Sequence, residues 1–200
     1  MTPEAPRRRR LDAERSRTAV LDAAVRLFGH RPDAGMEAVA AAAGVTRQTV
    51  YAHFSSRDRL VSAVIDRVTE EALAAMDAAD IDTGPAPEAL LRLLDAGRRT
   101  SEAYPGTVHL AAAQGAAPTE DRTRHEPVAE RLERLIRRGQ AAGEFAAEPD
   151  AAWLVTAVIA LAHAAGEDVR SGRRSGDEAA AVLRTSVLRV AGADPRAASS

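Results

Sequence analysis

AGVTRQTVYAHFSSRDRL, residues 43–60, reads as a turn, a short helix and the opening of a longer one. Gly44 can take the left-handed backbone that ends a helix, and Thr46 is a side-chain cap for the helix that follows. Val50 and Phe54 stand four apart on one side of that helix. Arg47, Gln48, Thr49, Tyr51 and His53 are all hydrogen-bonding groups left for its other sides. Ser55 or Ser56 then caps a further helix, where Leu60, Val61, Val64, Ile65 and Val68 form an apolar stripe before an alanine-rich extension to Ala79.

Upstream, Met36, Val39, Ala40 and Ala43 make a very short helix that stops at Gly44, so Gly44-Val45-Thr46 joins two short helices by a turn of helix-turn-helix length. Ala40 is small where the two helices cross, and Val45 and Val50 fill the space between them. A first helix opens near Thr18, with Leu21, Ala24, Val25 and Phe28 at three-to-four spacing, and is expected to end at Gly29; His30 to Gly35 is a loop. In the short third helix the outward side chains have the chemistry of a DNA reader. Arginine pairs with guanine edges and glutamine with adenine edges in the major groove, while tyrosine and threonine donate to phosphates.

Charge is distributed to match. All 27 basic residues are arginine, and the whole chain is net −2. Residues 1–60 nonetheless hold eleven arginines against seven acids, so a net-acidic chain has a basic front end, as a local nucleic-acid footprint requires. Arg7, Arg8, Arg9 and Arg10 lie in residues 1–17, expected as a flexible basic arm that either enters the minor groove or remains a solvated tail.

The run AVLDAAVRLFGH (19–30) with MEAVAAAAGVTRQTVYAHFSSRDRLVSAVI (36–65) resembles the N-terminal DNA-binding domain of the tetracycline-repressor (TetR) family over about fifty residues. The resemblance implies that Thr46, Tyr51 and Arg57 hold the DNA backbone, that Arg47, Gln48 and Thr49 face base edges, and that His53 lies near a phosphate. Arg57 replaces the more usual lysine and keeps its charge. Gly35 stands where the family often has a threonine that caps the second helix and touches phosphate, which leaves that contact without its donor. By the same resemblance the C-terminal helices form a ligand pocket, the last two pair across a two-fold axis, and the protein represses transcription.

The remaining chain is helical throughout, with no sustained period-2 stretch, so the fold class is all-α. Gly84, Pro85 and Pro87 make a natural break. Helices are expected over 88–103, 107–114, 120–142, 151–169 and 177–190, which gives an arm at 1–17, a three-helix helix-turn-helix domain at 18–68, a ligand-binding and dimerisation domain at 69–192 and a tail at 193–200. The helix from Ala151 carries Trp153, Leu154, Val158 and Leu161 and is apolar over much of its circumference; the last helix repeats Val182, Leu183, Val187 and Leu188. Helices apolar nearly all round need burial on more than one side, which a homodimeric four-helix bundle supplies. Tyr104, His109, Gln114, Trp153 and His163 are the polar and aromatic groups available to a small-molecule effector site.

Other classes find little support. No cysteine is present, which removes disulfides, thiolate metal sites and a cysteine nucleophile. The five histidines show no HExxH or comparable metal spacing, and there is no G-x-S-x-G or glycine-rich phosphate loop, so neither an enzyme nor a cofactor is expected. His109 and His125 with Glu126 could form a metal site only if the fold gathers them. The apolar stretch Ala151–Ala165 falls short of the ~20 residues that span a bilayer, and the chain reads as soluble and cytoplasmic. The alternative function is a helical small-molecule-binding or scaffold protein with residual or no DNA binding.

Overall fold

The computed structural model describes residues 4–106, 110 and 118–193. Eight helices are traced end to end among them: α1 (Glu4–His30), α2 (Met36–Ala43), α3 (Arg47–His53), α4 (Arg57–Asp77), α5 (Ala86–Ala103), α6 (Pro118–Ala141), α7 (Ala151–Arg170) and α8 (Gly176–Val190). No strand occurs among the described residues, and the fold is all-α. Most of the expected helix over 107–114 lies outside the described residues; Leu110, within it, is buried. Of the expected tail, 194–200 lies outside them too. Ala193 is not tail at all: it is buried, and its N–H donates to the Leu188 carbonyl at 2.9 Å.

The described residues fall into two compact units, one within Met1–Glu71 and Thr100–Glu120, the other within Ala72–Arg99 and Asp121–Ser200. The division runs inside α4, a few residues beyond the expected boundary at 68, and the end of α5 goes with the first unit. The Pro/Gly break at 84–87 is a turn of the second unit. A turn residue reports where a helix stops, whereas a unit is set by which core a stripe serves: Leu60, Val61 and Val64 of α4 join the first core and Met76 of the same helix joins the second.

In the first unit Val20, Ala24 and Phe28 of α1 meet Val39 of α2, Val50 of α3 and Leu60 and Val64 of α4, each fully buried. Burying a side chain of this size is worth about 1.5–3 kcal/mol, so α1, α2 and α4 form a rigid seat for the short α3, which could not persist as a helix alone. Gly106 packs against the end of α1 so closely that a Cβ there would overlap the Phe28 carbonyl oxygen.

One expectation changes here. Residues 4–17 are not a separate arm but the first turns of α1. Residues 4–17 hold six arginines, two alanines, two glutamates and a leucine, all good helix formers, and Pro6 falls in the first turn, where proline is tolerated.

The second unit packs Leu90 and Leu93 of α5, Leu132, Leu135 and Ile136 of α6, Leu154 and Val158 of α7, and Val187 and Leu188 of α8 into one core. Asp150 caps α7 by accepting from the Trp153 N–H at 2.9 Å, and Ser175 and Glu178 form a capping box at α8. At 20 residues α7 is longer than expected and is long and apolar enough to cross a membrane by length and composition. Its Leu154, Val155 and Val158 belong instead to the protein core.

Candidate nucleic-acid interface

Gly44 ends α2 at φ 67° and ψ 28°, a left-handed conformation that costs glycine nothing. Its N–H and that of Val45 turn back to the carbonyls of Ala41 at 3.2 Å and Ala40 at 3.0 Å. Thr46 then accepts the Thr49 N–H at 3.2 Å, and the two hydroxyls lie 2.8 Å apart. These few bonds fix the angle at which α3 leaves the turn. As expected, Gly35 begins α2 with no side-chain cap.

The sides of α3 are sharply different. Val50 and Phe54 are buried, while Thr46, Arg47, Gln48 and Tyr51 are exposed and Thr49 and His53 half-buried. The Arg47 guanidinium lies 5.4 Å from the centre of the Tyr51 ring, one turn further along. Tyr51 holds the Arg47 guanidinium above its ordinary value. Arg47, Gln48 and Tyr51 thus share the exposed side of α3, with Thr46 at its N-terminus.

Two of the expected contacts are engaged elsewhere. Arg57 donates from Nε to the Ala34 carbonyl at 3.1 Å and from a terminal nitrogen to the Pro32 carbonyl, with its guanidinium over the Phe28 ring at 5.5 Å. It braces the loop between α1 and α2, a role a planar, multiply donating side chain suits and which sequence spacing does not reveal. His53 is hydrogen-bonded through Nε2 to the Ser16 hydroxyl at 3.1 Å. Beside it the Arg17 guanidinium sits 5.1 Å from the Phe54 ring centre. Ser16 and Arg17 therefore adjoin the candidate site, a placement the α3 motif itself does not reveal. The available signal was their place one turn before Val20, on the continuation of the α1 stripe.

The expected effector residues fall in both units. Tyr104, in the first unit, is half-buried and donates to Glu71 at 2.6 Å, and Glu71 also pairs with Arg67 at 3.0 Å. That bond and partial burial raise the Tyr104 phenol above its ordinary value. His109 and Gln114 lie outside the described residues. In the second unit Trp153 is 54% exposed and His163 is exposed, so both belong to the outer surface of α7 rather than to a pocket wall within the unit. Cavities open on that unit among the described residues. One is a notch of about 80 Å³ between α7 and α8, lined by Leu161, Ala164, Val182 and Leu183 among others; another is a more open, charged depression of about 270 Å³ over Glu130, Glu133, Arg134 and Arg137. The notch is well below the ~300 Å³ of a small-molecule site. No group of three or more metal-ligating side chains occurs among the described residues, and His109 lies outside them.

Residues 20–64 match the model of the family described as bacterial regulatory proteins, tetR family. The chain is 39% identical over 82 residues to the HTH-type transcriptional repressor LfrR of Mycolicibacterium smegmatis, an alignment covering 41% of this chain and 43% of that protein. It thus spans less than half the length of that curated relative. Among solved structures, LfrR from Mycobacterium smegmatis in complex with proflavine superposes with a TM-score of 0.66 at 24% identity, over 88% of this chain and 95% of that one. The TetR family transcriptional regulator PfmR from Thermus thermophilus gives 0.68 at 22% identity, over 85% and 97%.

Proposed function

We infer that this chain, a member of the tetR family of bacterial regulatory proteins, is a cytoplasmic transcriptional repressor that binds a palindromic operator as a homodimer and releases it in response to a small molecule. The observation that carries the reading is the two-sidedness of α3. A seven-residue helix is held by Val50 and Phe54 and offers Arg47, Gln48, Thr49 and Tyr51 to the outside. Such a helix enters the major groove by its N-terminal end, where Gln48 and Arg47 reach base edges and Thr46 and Tyr51 reach phosphates.

Pairing is supported by the outer faces of α7 and α8. Trp153, Ala160 and Ala164 recur along one side of α7, and Ala164 shares the notch with Val182, itself 47% exposed. An exposed apolar patch of this kind marks a protein contact. A two-fold pair also doubles the few base pairs that one α3 can read. The effector is a proposal on family grounds, with Tyr104, His109 and Gln114 its nearest residues to test; LfrR was crystallised with proflavine. Trp153 stands on this proposed pairing surface, and His163, exposed on α7, stays among the residues to test for the effector.

The test is selection of preferred duplexes from a random library with the full chain. An enriched inverted repeat, bound by two chains per site, is the expected result. Binding with no sequence preference would leave the alternative, a helical binding or scaffold protein.

A further inference from the structure

Helix α1 begins long before its core does. From Leu11 to Ala19 every residue is exposed except half-buried Ser16, and Val20 is the first buried one in that stretch. The helix nevertheless runs from Glu4. Residues 4–16 therefore form a helical extension of roughly 20 Å at 1.5 Å per residue. No core contact accounts for the exposed part, since Leu11 itself is 45% exposed.

Its charge and its direction go together. Residues 4–19 hold six arginines, at 7, 8, 9, 10, 15 and 17, against three acids, in a chain that is net −2. The extension leaves the unit beside the C-terminal end of α3, where Ser16 bonds His53 and Arg17 covers Phe54. Seven residues are close to two helical turns, so position 9 shares a register with Ser16, and position 10 with Arg17. Two arginine positions thus stand about 11 Å further out along the side of α1 that meets α3.

We propose that residues 4–17 are a second DNA-contact element, a basic helix lying along the phosphate backbone that flanks each half-site. This rests on the reading of α3 as the element in the major groove. With α3 in the groove by its N-terminal end, a helix bonded to its C-terminal end is left to run over the flanking strand, and guanidinium groups on phosphates position a protein without reading sequence. The extension supplies affinity and salt dependence and leaves base preference to α3. Because α1 is one helix from Glu4 that meets α3 at Ser16 and Arg17, its arginine positions stand at fixed heights along it.

The experiment measures binding of the full chain to its selected duplex and to a random duplex over a salt series, for wild type, R7A/R8A/R9A/R10A and L11P. Both variants lie outside the core, and far-ultraviolet circular dichroism with a melting curve checks that the core is intact. Each phosphate contact contributes about 0.9 to the log–log salt slope, so the quadruple variant is expected to lose about 2–4 per protomer and to bind both duplexes at least about tenfold more weakly at 0.1 M salt, with its order of base preferences unchanged. L11P keeps every arginine but interrupts the helix, and is expected to lose most of the same slope. An unchanged slope in the quadruple variant overturns the proposal. L11P behaving as wild type overturns the helix in favour of a flexible arm. Should wild type show no preference for any duplex while the quadruple variant still loses slope, the operator reading fails and the extension stands.

Discussion

The guanidinium of Arg57 lies 5.5 Å from the centre of the Phe28 ring while its Nε donates to the Ala34 carbonyl at 3.1 Å. One side chain at the start of α4 thereby holds the end of α1 and the loop that leads into α2. Hydrogen bonds from a charged donor are worth about 1.5–3 kcal/mol each to stability. Arg57→Ala is therefore expected to lower the melting temperature of the chain, and Arg57→Lys to recover little, because an ammonium cannot serve two carbonyls and an aromatic face in one plane. Thermal denaturation of the three proteins checks this. Unchanged melting with a salt slope reduced by ~1 per half-site would return Arg57 to the phosphate contacts.

Gln48 and Arg47 occupy the first turn of α3 and are exposed. Gln48→Ala is expected to cost ~1–3 kcal/mol against the preferred base and less on random DNA. Operator selection with the variant should flatten preference at one symmetric pair of positions. Tyr51→Phe is expected to weaken all sequences alike. A uniform loss from Gln48→Ala would move that residue to the phosphates.

Arg47 differs from Gln48 in being stacked on Tyr51, 5.4 Å from its ring centre. The ring limits how far the guanidinium can swing, so the two residues act as a unit. The losses from Arg47→Ala and Tyr51→Ala are expected to be less than additive in the double variant. A fully additive double-mutant cycle in binding free energy would show that the stacking does not direct Arg47.

The parts of this molecule that are legible in the sequence are those written locally. The turn at Gly44, the Thr46 cap and the two-sidedness of α3 depend on residues within four positions of one another. What escapes depends on contacts distant along the chain. Ser16 and His53 are 37 residues apart and Arg57 and Pro32 are 25 apart, and neither pair has a spacing to betray it. The start of α1 escapes for a different reason: with no apolar stripe before Val20, hydrophobic periodicity is silent about residues whose helix is made by propensity alone. The unit boundary is hidden because α4 is one helix serving two cores.

Gly106 illustrates a contact that no pattern would expose. A Cβ at this position would overlap the Phe28 carbonyl oxygen and lie 3.0 Å from the Gly29 Cα, all backbone atoms that cannot step aside. Gly106→Ala is expected to destabilise the first unit, by about 1–3 kcal/mol as for other overpacked sites. The check is a melting curve beside that of Gly143→Ala, a residue with a left-handed φ of 71° but nothing within 4 Å, so that backbone strain and close approach are separated.

Asp77 and Arg131 are joined by two bonds of 2.7 Å. The Arg131 hydrogen bond holds the Asp77 carboxyl below the ordinary carboxylate range. A lowered folded-state value means that the pair stabilises the second unit above the unfolded value, near 3.9, and that this contribution is lost as pH falls through the folded value. Because the Asp77 side chain is 58% exposed, the contribution is at most about 1 kcal/mol. Asp77→Asn is expected to lower stability at pH 7 slightly and to flatten its decline below about pH 4. Equal acid sensitivity in the variant would assign the acid limb to other carboxylates.

Trp153 makes the pairing surface directly observable, since it is the chain's single tryptophan and is 54% exposed in one copy. It shares a side of α7 with Ala160 and Ala164, and Ala164 lines the notch that also contains Val182. If two copies meet over α7 and α8, Trp153 loses contact with water at concentrations where the mass doubles, and its emission shifts to the blue in step with association. Val182→Asp places a charge in the middle of that contact. An unpaired charge in a desolvated interface costs several kcal/mol, enough to move the association midpoint by more than about a hundredfold in concentration. Light scattering and tryptophan emission over one dilution series should move together for the wild type and shift together for Val182→Asp. A wild type whose mass doubles while emission stays fixed would place the interface on another face of the second unit. A monomer at micromolar concentration would end the two-fold operator reading, because a lone α3 reaches too few base pairs to select a site.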